Sequence, residues 1–264
     1  MEPVEKHCYE IARCNQRGGR MLSIVDLMEA ETIPLDLAAY FLAVICRGAS
    51  FLVGAVPPRA GKTTVMGALL NFVPDGVELR TTDSLSAIEW AMHFERRRGC
   101  YVCPEIGEGH YFGYLWGEAL RTYFDLFKFG HLLASTLHAD TVASAEHQIC
   151  GVNEVSPRLF QRVNLLVFLS IEGGWNGRRK VFEAWESAGH NDHVPVFEDG
   201  GLHLSRSLLV KPAAWEASRQ VLAGLIRSGA RTLQEVRRAL VTPGVLDGLT
   251  AAAGAPARSK PAGS

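Results

Sequence analysis

Short apolar runs alternate with helix-patterned segments over about 120 residues of this chain, and this alternation limits the possible folds more than any other feature. Strands that alternate with helices form a largely parallel sheet with helices on both faces, because parallel neighbours need a crossover connection. The sequence therefore predicts an α/β fold. The predicted strands are residues 50–53, 78–81, 100–103 and 131–137, and the predicted helices are 23–30, 35–47, 61–71, 85–97, 115–129 and 143–149.

The pattern changes after Pro157. Two strand-like runs, 165–171 and 178–185, are joined by a Gly-rich segment with Asn176-Gly177, which is typical of a β-hairpin turn. Residues 187–203 are predicted to be a loop, followed by helices over 213–228 and 233–240. The predicted organisation begins with a helical lead-in over 1–48, whose first part, 1–20, is a loose leader. A core over 49–187 follows, and then a C-terminal loop and helices over 188–248. The last segment, 249–264, is predicted to be a disordered Ala/Pro/Gly/Ser tail.

The segment Ala60-Gly61-Lys62-Thr63-Thr64 follows a predicted strand and opens a predicted helix. This context predicts a phosphate-binding P-loop, in which backbone N–H groups, the lysine and the first hydroxyl contact phosphate and Mg²⁺. The loop is irregular, because Val56 stands where the pattern has glycine and Pro57 and Pro58 lack an N–H. Arg59 stands where a small residue is common and is able to compensate with its own contacts to phosphate. An eroded, empty loop is the alternative.

Polar residues follow two other predicted strands, at the edge where ligands of open α/β sheets bind. Glu105 lies after the strand at 100–103, where it is either a catalytic acid or a surface acid. His131 and His138 flank the strand at 131–137, either near a phosphate or as structural histidines. The aromatic stretch 110–116 is either a partner surface or the packed start of a helix.

Charge and cysteine content exclude several classes of protein. Lys and Arg number 27 against 28 Asp and Glu, so no global basic field draws the chain to nucleic acid. The six scattered cysteines do not form a disulfide framework, and Cys100 and Cys103 are predicted as buried strand residues rather than half of a structural metal site. The apolar stretch 37–46 is shorter than the roughly 20 residues of a membrane helix, and no secretory signal pattern begins the chain. We expect a cytoplasmic protein.

Taken together, these segments resemble the secretion ATPases of type II and type IV secretion systems and of type IV pilus and Tad-like machines, a family of RecA-like hexameric motors. GHLLASTLHADTVASAEHQI is similar to the family's His box and is the most specific match. PEIGE is similar to its Walker B segment and RTTDS to its Asp box, with Thr82 replacing the first acid. The resemblance covers residues 20–187, and most of the family's N-terminal domain has no counterpart in it.

The resemblance implies a RecA-like P-loop core with a largely parallel sheet, a late β-hairpin and C-terminal helices, using ATP and Mg²⁺. It also implies site roles: Glu105, Lys62 and His138 as catalytic residues, Arg59, Ala60, Gly61, Lys62, Thr63 and Thr64 as nucleotide-binding residues, Thr63 and Asp83 as Mg²⁺ ligands, and His131, His138 and Arg96 at a phosphate-sensing interface. The alternative for the three arginines at 96–98 is that they form the solvated end of a helix.

These implications lead to a main hypothesis: a motor subunit that hydrolyses ATP in a hexameric ring at the inner-membrane platform of a secretion or pilus machine. The first alternative is a degenerate, non-hydrolysing subunit that binds nucleotide or regulates assembly of the same machinery. A motor stimulated by nucleic acid is a further alternative, and the charge balance disfavours it.

Overall fold

A single sheet organises the chain in the computed structural model, which describes residues 1–15, 18–174 and 177–252. Within those residues the sheet has nine strands. They are β1 (Phe51–Gly54), β2 (Glu78–Thr81), β3 (Gly99–Ile106), β4 (Tyr114–Leu115), β5 (Leu132–Leu137), β6 (Leu165–Glu172), β7 (Arg178–Glu186), β8 (Val194–Glu198) and β9 (Gly201–Leu202).

Eleven α-helices accompany the strands in the described ranges. They are α1 (Pro3–Arg13), α2 (Ile24–Glu29), α3 (Leu35–Ile45), α4 (Lys62–Leu70), α5 (Leu85–Phe94), α6 (Glu118–Asp125), α7 (Val142–Glu146), α8 (Pro157–Phe160), α9 (Pro212–Ser228), α10 (Leu233–Leu240) and α11 (Leu246–Ala252). No helix in the part of the chain that the structure describes is long and apolar enough to cross a bilayer.

The strand order is β2-β3-β5-β1-β6-β7-β8-β9, with the short β4 paired to β3. The first five strands of this order are parallel, so their carboxyl ends meet at one edge. The last three strands pair antiparallel, and the hairpin of β6 and β7 joins them to the parallel part of the sheet. This topology confirms the predicted α/β fold with a largely parallel sheet and a late hairpin.

Helices cover both faces of the sheet, because successive strand side chains point to opposite sides. Phe51 and Val53 of β1 pack with α1 to α4 and α9 to α11, whereas Leu52 packs with α5 to α8. Strands buried on both faces read as continuous apolar runs, which is why the sequence marks them clearly. Helix α3 is apolar all round, and Leu37 to Ile45 are all buried, since it lies between the sheet and α9.

The prediction of a loose leader at 1–20 is wrong for its first part, because residues 3–13 form helix α1. Cys8 and Ile11 lie on one helical face and are buried against α4 and the sheet. Glu10 Oε2 accepts a 2.9 Å hydrogen bond from the backbone N–H of Thr81, which ties α1 to β2. The polar content of the segment concealed this narrow apolar stripe.

The predicted loop over 187–203 and the predicted helix over 115–129 also need correction. Strands β8 and β9 lie in the first of these segments and extend the sheet by antiparallel pairing. The second begins as β4, and α6 starts only after Gly117, whose positive φ of 57° interrupts the chain. Residues 249–252 of the predicted tail belong to α11, while Asn176 of the predicted turn and residues 253–264 lie outside the described residues.

The carboxyl end of α4 is held by a buried arginine from α10. Arg237 is 3% exposed, and its Nη1 donates to the carbonyls of Asn71 at 2.8 Å and Val73 at 2.6 Å. Burial lowers the pKa of Arg237 to about 10, so the side chain remains charged at neutral pH. The guanidinium therefore satisfies carbonyl groups at the end of α4 where the helix dipole is negative.

Candidate active site

The loop between β1 and α4 brings open backbone N–H groups to the carboxyl edge of the sheet. Gly61 precedes α4 with a positive φ of 94°, and no side chain of the described residues caps the helix there. Backbone amides at the start of a helix are a common binding site for anions. Gly54 permits the close approach of the neighbouring loop, because a Cβ there would lie 2.3 Å from the carbonyl oxygen of Ala139.

Lys62, Glu105 and His138 meet at this edge. The Lys62 Nζ atom lies 3.5 Å from Glu105 Oε1 and 3.4 Å from both ring nitrogens of His138. His138 Nε2 is 3.7 Å from the same Glu105 oxygen. Lys62 opens α4, Glu105 lies near the end of β3 and His138 follows β5, so three adjacent elements place the cluster. Lys62 and Glu105 are both buried, whereas the His138 side chain is 48% exposed.

The carboxylate of Glu105 is oriented from one side by Thr136. The Thr136 hydroxyl lies 2.8 Å from Glu105 Oε2 and 2.7 Å from the Pro104 carbonyl, so its one proton is shared between two acceptors. Glu105 Oε1 is buried and makes no hydrogen bond within the described residues, although Lys62 is near enough for attraction. A buried carboxylate oxygen without a hydrogen bond, in a cavity that Thr63 also lines, suits an ordered water or a hydrated Mg²⁺ ion.

A cavity of about 390 Å³ lies beside this cluster. Its predicted lining residues are Arg59, Ala60, Gly61, Lys62, Thr63, Thr64, Glu105 and His138, which the structure brings together. The remaining lining residues, which the sequence did not assign to the site, are Cys14, Asn15, Gly18, Arg20, Met21, Pro58, Pro104 and Tyr114. The apolar stripe of α1 is the sequence signal that could have placed Cys14 in the lining. This stripe fixes the position of α1, and therefore also the position of the residues that follow the helix. A volume of this size is in the range of small-molecule sites.

The structure does not bring His131 to this cavity. His131 precedes β5 and therefore lies at the amino edge of the sheet, a whole strand away from His138. Its Nδ1 accepts a 3.2 Å hydrogen bond from the backbone N–H of Gly99, and its ring packs edge-on against Tyr101. Burial lowers the pKa of His131, which favours the neutral ring. These contacts favour the structural-histidine alternative, and the phosphate-sensing or interface role of His131 stays a prediction.

Asp83 and Arg96 also lie away from the cavity lining. Asp83 follows β2, two strands from β1, and its carboxylate pairs with Arg13 of α1 at 3.4 Å. The Mg²⁺ role predicted for Asp83 is therefore not supported, because its strand is separated from the P-loop by β3 and β5. Arg96 is exposed before β3, at the amino edge of the sheet, so a role toward a neighbouring subunit stays a prediction.

The aromatic stretch divides between surface and site. Tyr111 and Phe112 are exposed, and the Arg13 guanidinium lies 5.9 Å from the Phe112 ring centroid. Leu115 is buried, and Tyr114 reaches the cavity because β4 pairs with β3 at Glu105. The stretch is therefore partly packed and partly exposed, and a partner surface at its exposed part stays a prediction.

Cys100 and Cys103 are buried in β3, as predicted, and burial raises the pKa of each thiol to about 12. Both thiols are therefore protonated at neutral pH and are poor nucleophiles and ligands. Within residues 1–15, 18–174 and 177–252, no group of His, Cys, Asp and Glu is arranged to hold a metal ion by itself.

Two solved structures are similar to the chain. The VirB11 ATPase of the Brucella suis type IV secretion system, solved in complex with sulphate, aligns with 15% identity and a TM-score of 0.43, over 70% of this chain and 56% of that one. The Legionella pneumophila ATPase DotB aligns with 11% identity and a TM-score of 0.38, over 92% of this chain and 66% of that one. The chain thus spans about three fifths of the length of these relatives. No protein-family model and no curated protein matches it.

Proposed function

We propose that the chain binds Mg²⁺ and ATP in the cavity beside the P-loop and hydrolyses ATP to ADP and phosphate. The observation that carries this proposal is the meeting of Lys62, Glu105 and His138 within 3.7 Å of one another at the open start of α4. A cation, a carboxylate and an imidazole beside the start of a helix are groups that phosphoryl transfer uses.

Each group has a role that follows from its position. The amides of residues 60–64 and the ammonium of Lys62 neutralise the phosphates, and this binding replaces the contacts of Lys62 with Glu105 and His138. Glu105, oriented by Thr136, accepts a hydrogen bond from the attacking water and aligns it with the terminal phosphate. Thr63 is placed to hold Mg²⁺, which would neutralise charge on the phosphate oxygens. His138 donates to a terminal phosphate oxygen.

A non-hydrolysing subunit is the second candidate function. Its support is the irregular loop, in which Pro57 and Pro58 supply no N–H and Val56 replaces a glycine. The absence of Asp83 from the cavity lining also leaves fewer acidic groups near Mg²⁺ than the resemblance implied.

Turnover and binding measurements on three proteins separate the candidates. For an enzyme, we expect Lys62→Ala to abolish ATP binding, and Glu105→Gln to keep ATP binding while lowering kcat by at least about 100-fold. Lys128→Ala is a matched control, because Lys128 is an exposed lysine whose partner is Asp125. Wild-type turnover equal to that of Lys62→Ala would reject the enzyme, and wild-type binding without turnover would favour the second candidate.

The biological setting follows from the resemblance and belongs to the proposal. The chain would act as a cytoplasmic motor subunit in a homo-oligomeric ring, a hexamer, docked on the inner-membrane platform of a type II, type IV or pilus-type machine. Light scattering of the purified chain with a non-hydrolysable ATP analogue tests the ring. A monomer at all nucleotide concentrations would contradict it.

A further inference from the structure

Arg59 has a backbone conformation that residues with a side chain rarely adopt. Its φ is +65°, in the left-handed region, where a Cβ raises the free energy and glycine does not. Four non-glycine residues of the described ranges have a positive φ: Glu31, Arg59, Glu154 and Asp199. Among these, Arg59 lines the cavity. Strained residues cluster at functional sites, where surrounding structure maintains them.

The loop around Arg59 has fewer backbone donors than a regular P-loop. Pro57 and Pro58 precede it and have no N–H, so two backbone groups are unable to contact a phosphate. A guanidinium has five N–H donors in a planar fork and binds phosphate oxygens two at a time. The side chain of Arg59 is therefore suited to contact the terminal phosphate, which ADP lacks, with stronger, charged hydrogen bonds.

The other cations that line the described part of the cavity are Arg20 and Lys62. Arg20 donates two 2.9 Å hydrogen bonds to Asp26 and a 3.1 Å bond to the carbonyl of Arg231, so its charge is already offset. Lys62 lies between Glu105 and His138 at the start of α4. Arg59 belongs to the loop itself, lines the cavity and is exposed to solvent.

We infer that Arg59 is a catalytic residue that stabilises the transition state of ATP hydrolysis within its own subunit, an inference that rests on the proposed function. In this step the water oxygen forms a bond to the γ-phosphorus while the bond to the β,γ-bridging oxygen breaks. ADP leaves with that electron pair, and a water proton passes to Glu105 and then to solvent. The Arg59 guanidinium offsets the negative charge on the transferring group, as an arginine supplied in cis does in other phosphoryl-transfer sites.

Arg59→Gly separates this role from a purely structural one. Glycine relieves the left-handed backbone, so we expect a higher Tm together with a kcat lowered by at least about 100-fold. The Kd for ADP should change by less than about threefold, whereas the Kd for ADP with aluminium fluoride, which mimics the transferring group, should rise as kcat falls. Arg59→Lys should restore part of the activity, because it keeps the charge without the fork.

Asp199→Gly is the matched control. Asp199 has a φ of 51° in the exposed turn between β8 and β9, so the same substitution relieves a left-handed residue away from the cavity. We expect a higher Tm and unchanged kcat. A mixture of Arg59→Gly and Lys62→Ala subunits tests the subunit assignment: no recovered turnover supports action in cis, and recovered turnover shows that Arg59 serves a neighbour and overturns it.

The outcomes distinguish a failure of the proposed ATPase activity from a failure of the role inferred for Arg59. Wild-type protein without ATP turnover overturns the proposed enzyme and this inference together. Wild-type turnover with kcat unchanged or raised in Arg59→Gly overturns only the inference. Equal losses of ADP affinity and kcat would show that Arg59 binds the ground state, which also overturns it.

Discussion

The substitution Gly54→Ala tests whether the close packing of β1 against the Ala139 segment determines the position of His138 in the site. Gly54 is the last residue of β1, and an added Cβ would lie 2.3 Å from the Ala139 carbonyl oxygen and 2.9 Å from the Phe168 ring. Real Cβ atoms do not approach backbone atoms within 3.0 Å, so Gly54→Ala must separate β1 from the Ala139 segment by at least 0.7 Å. His138 precedes Ala139 and moves with it.

The displacement should lower both the free energy of unfolding and the rate of ATP turnover. Overpacking a tight core costs about 1–3 kcal/mol in the free energy of unfolding. The contacts of 3.4 Å between Lys62 and His138 would also be disturbed, and a misplacement near 1 Å costs about 100-fold in rate. We therefore expect kcat for ATP to fall by about 10- to 100-fold at a temperature where the variant remains folded.

The assay pairs urea unfolding with ATP turnover, and Gly224→Ala is its control. Gly224 lies in α9, where an added Cβ meets nothing nearer than an Arg227 nitrogen at 4.0 Å. Alanine there should raise the free energy of unfolding by about 0.5–1 kcal/mol and leave kcat unchanged. If Gly54→Ala loses stability but keeps full turnover, the position of His138 does not control the rate. If it loses neither, the close approach of Gly54 to Ala139 is not a constraint.

Two further predictions concern the N-terminal helix. Ile11→Ala should lower the free energy of unfolding by about 2–5 kcal/mol in urea titrations, because Ile11 is fully buried, whereas a loose leader would give a change near zero. Burial and the charge of Arg237 lower the pKa of His7 to about 3, below its usual 6.5, so protons bind the unfolded chain preferentially between these values. Stability should therefore be full above pH 6.5 and fall as pH decreases toward 3, and His7→Gln should flatten the slope of unfolding free energy by up to about 1.4 kcal/mol per pH unit. An identical slope in both proteins would show that His7 is not the group that titrates.

The sequence predicted those strands and helices whose apolar residues form a clear run or a clear repeat. Strands buried on both faces, such as β1 and β5, stand out as apolar runs. The predicted helices 23–30 and 143–149 correspond to α2 and α7, whose starts have capping boxes in the structure. The cluster of Lys62, Glu105 and His138 was also predictable, because each follows or ends a parallel strand. Parallel strands place such residues at one edge.

Other features depended on tertiary packing that no local pattern shows. Helix α1 has a narrow apolar stripe, and only its contact with β2 reveals that the following residues form a cavity wall. His131 was predicted together with His138, but it lies outside the cavity, because a strand of six residues spans about 20 Å and its two ends lie at opposite edges. Tyr114 reaches the cavity only because β4 pairs with β3.

The arginine at the far end of α4 links the phosphate site to the C-terminal helices. Arg237 belongs to α10 and holds the carbonyls of Asn71 and Val73, while the opposite end of α4 carries the amides that face the cavity. A 9-residue helix anchored in this way spans about 13 Å by helix rise, with one end at the cavity and the other on α10. A displacement of α4 along its axis would therefore change the contacts that Arg237 makes at its far end. The C-terminal helices thus have a direct mechanical path by which to report the state of the cavity.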